Sequence, residues 1–320
     1  MKISSFLFTR SAIFAAISSS SLTTVMSLSG IGPNRIKVID SHLHVWASPE
    51  EAAAKFPYVQ DPPDSLKDRA SASCLLREME AAGVDGALIV QPINHKFDHS
   101  YVIHAIQTYP DRFKGMMLFD PSMSETDAMA QLQELKEKGF VGVRFNPYLW
   151  PKLGEKKWSP MSQGVGLALY KRCGELKMPV GIMCFQGLDL HFDDILALLA
   201  ASSETTLILD HFGFTALDSD ATFDQLLSLA QYPNVYVKIS AWFRLNDNPP
   251  FTDVRERRFI PLLNAFGADR LMYGSDFPFV LEQPSGYSMV HLVSSWIENE
   301  NERRAIMGGT AERVFGVWGA

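Results

Sequence analysis

His42 and His44 lie two residues apart in Val38-Ile39-Asp40-Ser41-His42-Leu43-His44-Val45-Trp46, a run apolar enough to be a strand. Side chains alternate along a strand, so the two imidazoles share a face. Two neutral imidazoles held side by side can bind a divalent ion or polarise a carbonyl. A regular strand would put Asp40 on their face and leave Ile39, Leu43 and Val45 on the packing face. A third imidazole, His211, follows Asp210 in Leu209-Asp210-His211-Phe212-Gly213, and a carboxylate, Asp276, follows Tyr273-Gly274-Ser275. Asp276 is suited to ligate an ion or to take a proton from water. Adjacent strand residues point oppositely, so Asp210 and His211 cannot both serve a site if the strand is regular. His211 is assigned to the site, with Asp210 a structural partner.

Cations and amides gather at comparable places. Arg144 shares a face with Gly142 and Asn146 in Gly142-Val143-Arg144-Phe145-Asn146, and its planar fork suits a carboxylate. Lys238 alternates with Val237 and Ile239, which allows either a mouth-lining role or a salt bridge on the helix side. Arg244, in Ala241-Trp242-Phe243-Arg244, allows either substrate binding or a surface loop charge. His95, His99, His104, His191 and His291 fall in loops or helices and are expected at the surface or in packing, with His95, just after strand two, alternatively at the rim. Cys184 has no histidine with an orienting acid beside it and reads as a small buried filler.

These residues need a scaffold that brings strand ends together. Strand runs are expected at 36–45, 86–91, 113–120, 141–146, 180–185, 206–211, 235–240 and 270–275, separated by helices at 72–82, 100–109, 124–138, 165–177, 192–201, 223–231, 254–266 and 287–299. Gly83 and Gly139 follow helices, and Pro179 opens a strand. The strand runs are mostly apolar on both faces, as in Leu207-Ile208-Leu209, which suits a parallel sheet covered by helices. Eight alternating pairs predict a single (β/α)8 barrel, a TIM barrel, over residues 35–320. An open doubly wound sheet is the other topology, but no GxGxxG or GxxxxGK[ST] follows a strand. Residues 302–317 are expected to form an extra helix closing the barrel. In a barrel the polar strand ends converge on one mouth, where His42 and His44 would lie.

The chain carries a net charge of −7, and its basic runs, such as Arg255-Glu256-Arg257-Arg258, are interleaved with acids. No phosphate-tracking patch and no membrane partner is expected. The three cysteines have no paired spacing, which argues against a disulfide framework or a structural zinc site. Residues 1–34 stand apart. Lys2 and Arg10 are their only charged side chains, acids are absent, and Ser and Thr cluster at 18–24. That profile predicts an organelle transit peptide, for the chloroplast or alternatively the mitochondrion. A secretory signal would have to use the short apolar core at 11–17.

Four stretches together resemble the amidohydrolase superfamily, in its amidohydrolase-related branch of metal-dependent hydrolases and lactonases: Ile39-Asp40-Ser41-His42-Leu43-His44, Gly142-Val143-Arg144-Phe145-Asn146, Leu209-Asp210-His211-Phe212-Gly213 and Tyr273-Gly274-Ser275-Asp276-Phe277-Pro278. The resemblance implies that His42, His44 and Asp276 hold one divalent ion, zinc or manganese, and that His211 ligates it or contacts the attacking water. It also implies a strand-five histidine, and here that strand ends Ile182-Met183-Cys184-Phe185-Gln186. Some lactonases of the branch look metal-independent. In both versions the resemblance makes Asp276 the general base. The expected activity is hydrolysis of a small carboxylated lactone, with Arg144, Asn146, Lys238 and Arg244 as candidate substrate contacts. A metal-dependent non-oxidative decarboxylase and a non-catalytic binding protein on the same barrel are the alternatives.

Overall fold

The computed structural model describes residues 35–319; the leader expected over 1–34 lies outside them. The eight barrel strands are β1 (Ile39–Leu43), β2 (Gly86–Val90), β3 (Phe113–Leu118), β4 (Phe140–Phe145), β5 (Val180–Ile182), β6 (Leu207–Leu209), β7 (Val235–Ile239) and β8 (Leu271–Tyr273). All seven neighbouring pairs in that order are parallel. At the closing seam the Asp276 amide donates to the His42 carbonyl at 2.9 Å and the His44 amide to the Phe277 carbonyl at 2.7 Å. Close approach there requires Gly274, since a Cβ on it would stand 2.7 Å from His42 Cβ. The protein is a (β/α)8 barrel, as the alternation predicts.

Most helices cover the sheet where their periodicity places them, but the one expected at 287–299 is an α-helix only over Val290–Ser295, and the one at 254–266 is interrupted by a π turn at Arg255–Phe259. Ala72–Ala82 is capped by the Ser71 hydroxyl, which accepts from the Cys74 amide, and ends at Gly83 in the left-handed region (φ 69°). Glu125–Glu137 is capped in the same way by Ser124. The excursion after β1 holds an unexpected short helix, Pro49–Ala54, with a Ser48/Glu51 capping box. It returns to the barrel where the Trp46 amide donates to the Ala70 carbonyl. A small hairpin, Lys152–Gly154 with Lys157–Trp158, follows β4 and was not expected either.

Two apolar cores result. The larger lies between sheet and helices. The smaller fills the barrel itself, where Ile39, Leu88, Val90, Met116, Ile208 and Met272 meet Ala311, Phe315 and Trp318 of the C-terminal segment. That segment closes the barrel, as two helical pieces, Glu300–Arg304 and Thr310–Phe315, joined through a π turn. No helix of the described residues is long and apolar enough to cross a membrane.

Candidate active site

Two departures from regular strand geometry build the site. The first is in β1. Asp40 pairs with Ala87 but Leu43 pairs with Ile89, three steps against two, so β1 carries one extra residue. The bulge resets the alternation. Ile39 joins the barrel interior while Leu43 and Val45 join the outer core, and His42 and His44 then both face inward. Asp40 is left on the other side. Its Oδ1 accepts from the Ser275 amide at 2.9 Å and its Oδ2 from the Tyr287 hydroxyl at 2.8 Å. Burial pushes Asp40 up to about 6 against these bonds. The expectation that Asp40 shares the histidines' face is therefore corrected: it anchors β8 and the Tyr287 segment instead.

The second departure follows β6. His211, Phe212, Gly213 and Phe214 have φ of 53°, 54°, 62° and 54°, four successive left-handed residues of which one is glycine. Each non-glycine residue there costs about 1–2 kcal/mol. The turn sends both the Asp210 and the His211 side chains into the barrel, so the choice between them rested on a regular strand that does not exist. Ala241 after β7 and Asp276 after β8 turn in the same way, at φ 49° and 59°. Backbone strain concentrated at three successive strand ends is a mark of a functional rim.

His42, His44 and Asp276 come together with ligand atoms all within 4.8 Å of one another. His44 Nδ1 donates to the Val90 carbonyl at 2.8 Å. His42 Nδ1 lies 3.1 Å from Asp210 Oδ1 and 3.2 Å from Lys238 Nζ. The carboxylate can only accept, so Nδ1 carries the proton and Lys238 donates to Asp210, at 3.3 Å. Both histidines thus keep an Nε2 lone pair free, and the His42 Nε2 is buried without a partner. His211 Nδ1 pairs with the Ser240 hydroxyl at 2.9 Å, and its ring lies 4.2 Å from that of His42. Burial keeps all three imidazoles neutral. His42 is held down to about 3 despite Asp210, and His44 and His211 fall well below the usual range.

Beneath the histidines lies a charged layer. Burial alone would raise Asp210, but Lys238, His42 and Arg144 hold it well below the usual carboxylate range. Arg144 Nε donates to Asp210 Oδ2 at 3.0 Å. Lys238 is fully buried beneath His42, lowered by burial against the pull of Asp210. Neither sequence alternative for Lys238 describes this place: it is absent from the walls of the two mouth cavities and pairs with Asp210 inside the barrel, not with an acid on the helix side.

Above the histidines a cavity of about 370 Å³ is walled by His44, Arg144, His211, Arg244 and Asp276, with Met183, Phe185, Phe214 and Phe279. Arg244 Nε donates to Asp276 Oδ2 at 3.2 Å, and its guanidinium lies 4.7 Å from the Phe279 ring centre. The other oxygen, Oδ1, faces His44 Nε2 at 3.7 Å and His211 Nε2 at 3.9 Å. Both exceed hydrogen-bonding distance. Burial pushes Asp276 up to about 6, against Arg244 and Arg144. Asn146 caps the turn after β4 by accepting from the Tyr148 amide, and it lines an adjoining chamber. The end of β5, where the resemblance implies a histidine, presents Met183 to the cavity. Cys184 is buried with its thiol pushed far up, which suits packing and not attack.

A second cleft, about 360 Å³, lies between the hairpin and the helix Phe192–Ala201. Its Asp194 carboxylate is occupied by the Met161 and Ser162 amides. Sequence reasoning missed the aromatic wall of the mouth, Phe185, Phe214 and Phe279, and the part played by Ser240. Their one signal was position, each lying at or just past a strand end.

A family model described as amidohydrolase matches residues 39–317. A 4-sulfomuconolactone hydrolase of Hydrogenophaga intermedia is 28% identical over 87% of this chain and 88% of its own length. A 2-pyrone-4,6-dicarboxylate hydrolase of Comamonas testosteroni is 26% identical over 75% and 76%. Among solved structures, an amidohydrolase of Burkholderia multivorans with bound zinc has a TM-score of 0.70 and 22% identity, covering 88% of this chain and 99% of that one.

Proposed function

The chain belongs to the amidohydrolase family and is a hydrolase, and from that premise we propose that it opens a small carboxylated lactone with water, Asp276 acting as general base. The observation that carries this reading is the asymmetry of Asp276. Arg244 occupies Oδ2, while Oδ1 is left facing His44 and His211 across a gap too long for direct bonds. A water fits the chemistry of that gap, with Oδ1 as its acceptor.

The residues present also fit a metal. His42 Nε2 is a buried orphan, His44 Nε2 is a free lone pair, and Asp276 completes a three-ligand set. Zinc or manganese bound there would act as a Lewis acid and make the water more acidic. The chain's own groups do the rest. Asp276 Oδ1 accepts the water's proton as the water oxygen bonds to the lactone carbonyl carbon. The ring carbon–oxygen bond then breaks, and the same proton passes to the departing oxygen, giving a hydroxy acid. His211 orients the water. Arg144, whose Nη2 is buried without a partner, and Arg244 offer donors to the substrate's carboxylate. Phe185, Phe214 and Phe279 limit bulk water. We also propose that residues 1–34 direct the protein to the chloroplast, with the absence of acids in support.

The test is metal content of the purified protein together with ring opening of a panel of carboxylated lactones, before and after chelation. Ring opening lost on chelation and restored by zinc or manganese is the expected result. Ring opening that survives chelation leaves the lactonase and removes the metal. Carbon dioxide released without ring opening would make the protein a decarboxylase, and binding without turnover a binding protein.

A further inference from the structure

The mouth has a second compartment. A chamber of about 180 Å³ adjoins the catalytic cavity and shares His44, Arg144, Met183 and Phe279 with it as a common wall. Its own walls are chiefly Trp46, Pro92, Ile93, Leu118, Met183 and Phe279. Arg144 is the one cation among its lining residues, and no carboxylate lines it.

Resting on the hydrolase reading above, we propose that the substrate is bipartite: a lactone ring in the larger cavity, a carboxylate at the Arg144 waist, and an apolar arm, a phenyl ring or a short alkyl chain, in the side chamber. Three observations carry this. An apolar cavity of about 150 Å³ accommodates benzene, so the chamber has room for a ring or a chain of similar bulk. A second carboxylate placed there would find no cation beyond Arg144 and would face the Gln91 carbonyl oxygen, an acceptor without a partner, while the Gln91 amide nitrogen is already committed to the Lys96 and Asp98 carbonyls. Finally, five large apolar residues are exposed among the described residues, and two of them, Ile93 and Phe185, line these two adjoining cavities. Apolar surface left open at a concave rim favours an apolar ligand. Phe279 separates the compartments and is held in place by Arg244 on its face and by the His44 and Trp46 rings against its edge.

The inference is tested with pairs of ligands that differ only in the arm. Glutarate and phenyl-substituted glutarate are titrated calorimetrically into the purified protein. In parallel, a butyrolactone carboxylate and its phenyl-substituted form are assayed for ring opening. The phenyl-bearing member of each pair should be preferred by about tenfold or more, the discrimination an apolar pocket gives to an added hydrocarbon group. Ile93→Trp, which narrows the chamber, and Ile93→Asp, which charges it, should each bring that ratio toward one. Ile93 is 38% exposed in a loop, and a melting temperature near that of the wild type will show that each variant folds. Equal binding of the two glutarates, or a preference that survives both variants, overturns the inference. A preference that Ile93 controls, with neither lactone opened, would keep the substrate shape and refute the lactonase; ring opening with no preference would do the reverse.

Discussion

Asp210 Oδ1 and His42 Nδ1 lie 3.1 Å apart, both fully buried, inside the barrel and below the mouth. Asp210 is held ionised by Lys238 and Arg144, so it fixes the proton on Nδ1 and turns the Nε2 lone pair of His42 toward the site. Outer partners of this kind typically account for about ten- to hundredfold in metal affinity. Asp210→Asn should lower zinc affinity by that factor. It should also lower the melting temperature, because Lys238 and Arg144 are left buried without their anion. Adding Lys238→Met to that variant should recover part of the melting temperature and none of the zinc affinity. Zinc affinity unchanged in the single variant would remove Asp210 from the site.

Asp276→Asn preserves size and one oxygen but gives up charge and basicity. It should fold, and turnover should drop by about 10²–10⁴-fold, the usual contribution of a general base. Turnover and melting temperature measured on one preparation decide the matter. A destabilised variant with normal turnover per folded molecule would make Asp276 a structural partner of Arg244.

For Arg144→Met the expected effect is a Michaelis constant raised roughly ten- to hundredfold, equivalent to one charge-assisted hydrogen bond of about 1.5–3 kcal/mol. Arg144→Lys should not restore it, since the ammonium lacks the fork that spans Asp210 and a substrate carboxylate. Steady-state kinetics of the two variants test this. A methionine variant with wild-type kinetics would confine Arg144 to the support of Asp210.

His99, which lines neither cavity of the mouth, gives the fold a pH dependence. It is buried, its Nε2 accepts from the Leu118 amide, and burial holds it down to about 4. An unfolded chain protonates this imidazole near 6.5. Between pH 6.5 and 4 the unfolded state therefore binds more protons, and stability falls as pH falls through that window, with no effect above it. Melting temperature should drop on going from pH 7.5 to 5, and His99→Gln should show a shallower drop. Parallel curves for the two proteins would assign the whole dependence to other groups.

If residues 1–34 are a transit peptide, protein isolated from the organelle should begin a few residues before Ile36. Terminal sequencing that recovers Met1 would end that proposal.

The barrel was legible because it rests on local signals: apolar runs, helix caps at Ser71 and Ser124, and Gly83 after a helix. Each of these acts through its own backbone neighbourhood, and together they place eight strands in order. The short helix at Pro49 and the hairpin after β4 escaped because neither is long enough to show a period. The set His42, His44, His211 and Asp276 was also legible, as polar residues at the ends of strands that a barrel must converge. What alternation could not give was orientation at the strand ends. The extra residue in β1 comes from its register against β2, a pairing between residues far apart in the chain, and it moved Asp40 out of the site. The left-handed turn after β6 put Asp210 and His211 into the barrel together, and Gly213 was its one local sign. Lys238 could find its place only once Asp210 was inside, because a buried cation settles where its counter-ion is. The side chamber likewise exists only where Trp46, Ile93, Leu118 and Phe279, drawn from four strand ends, close around one volume.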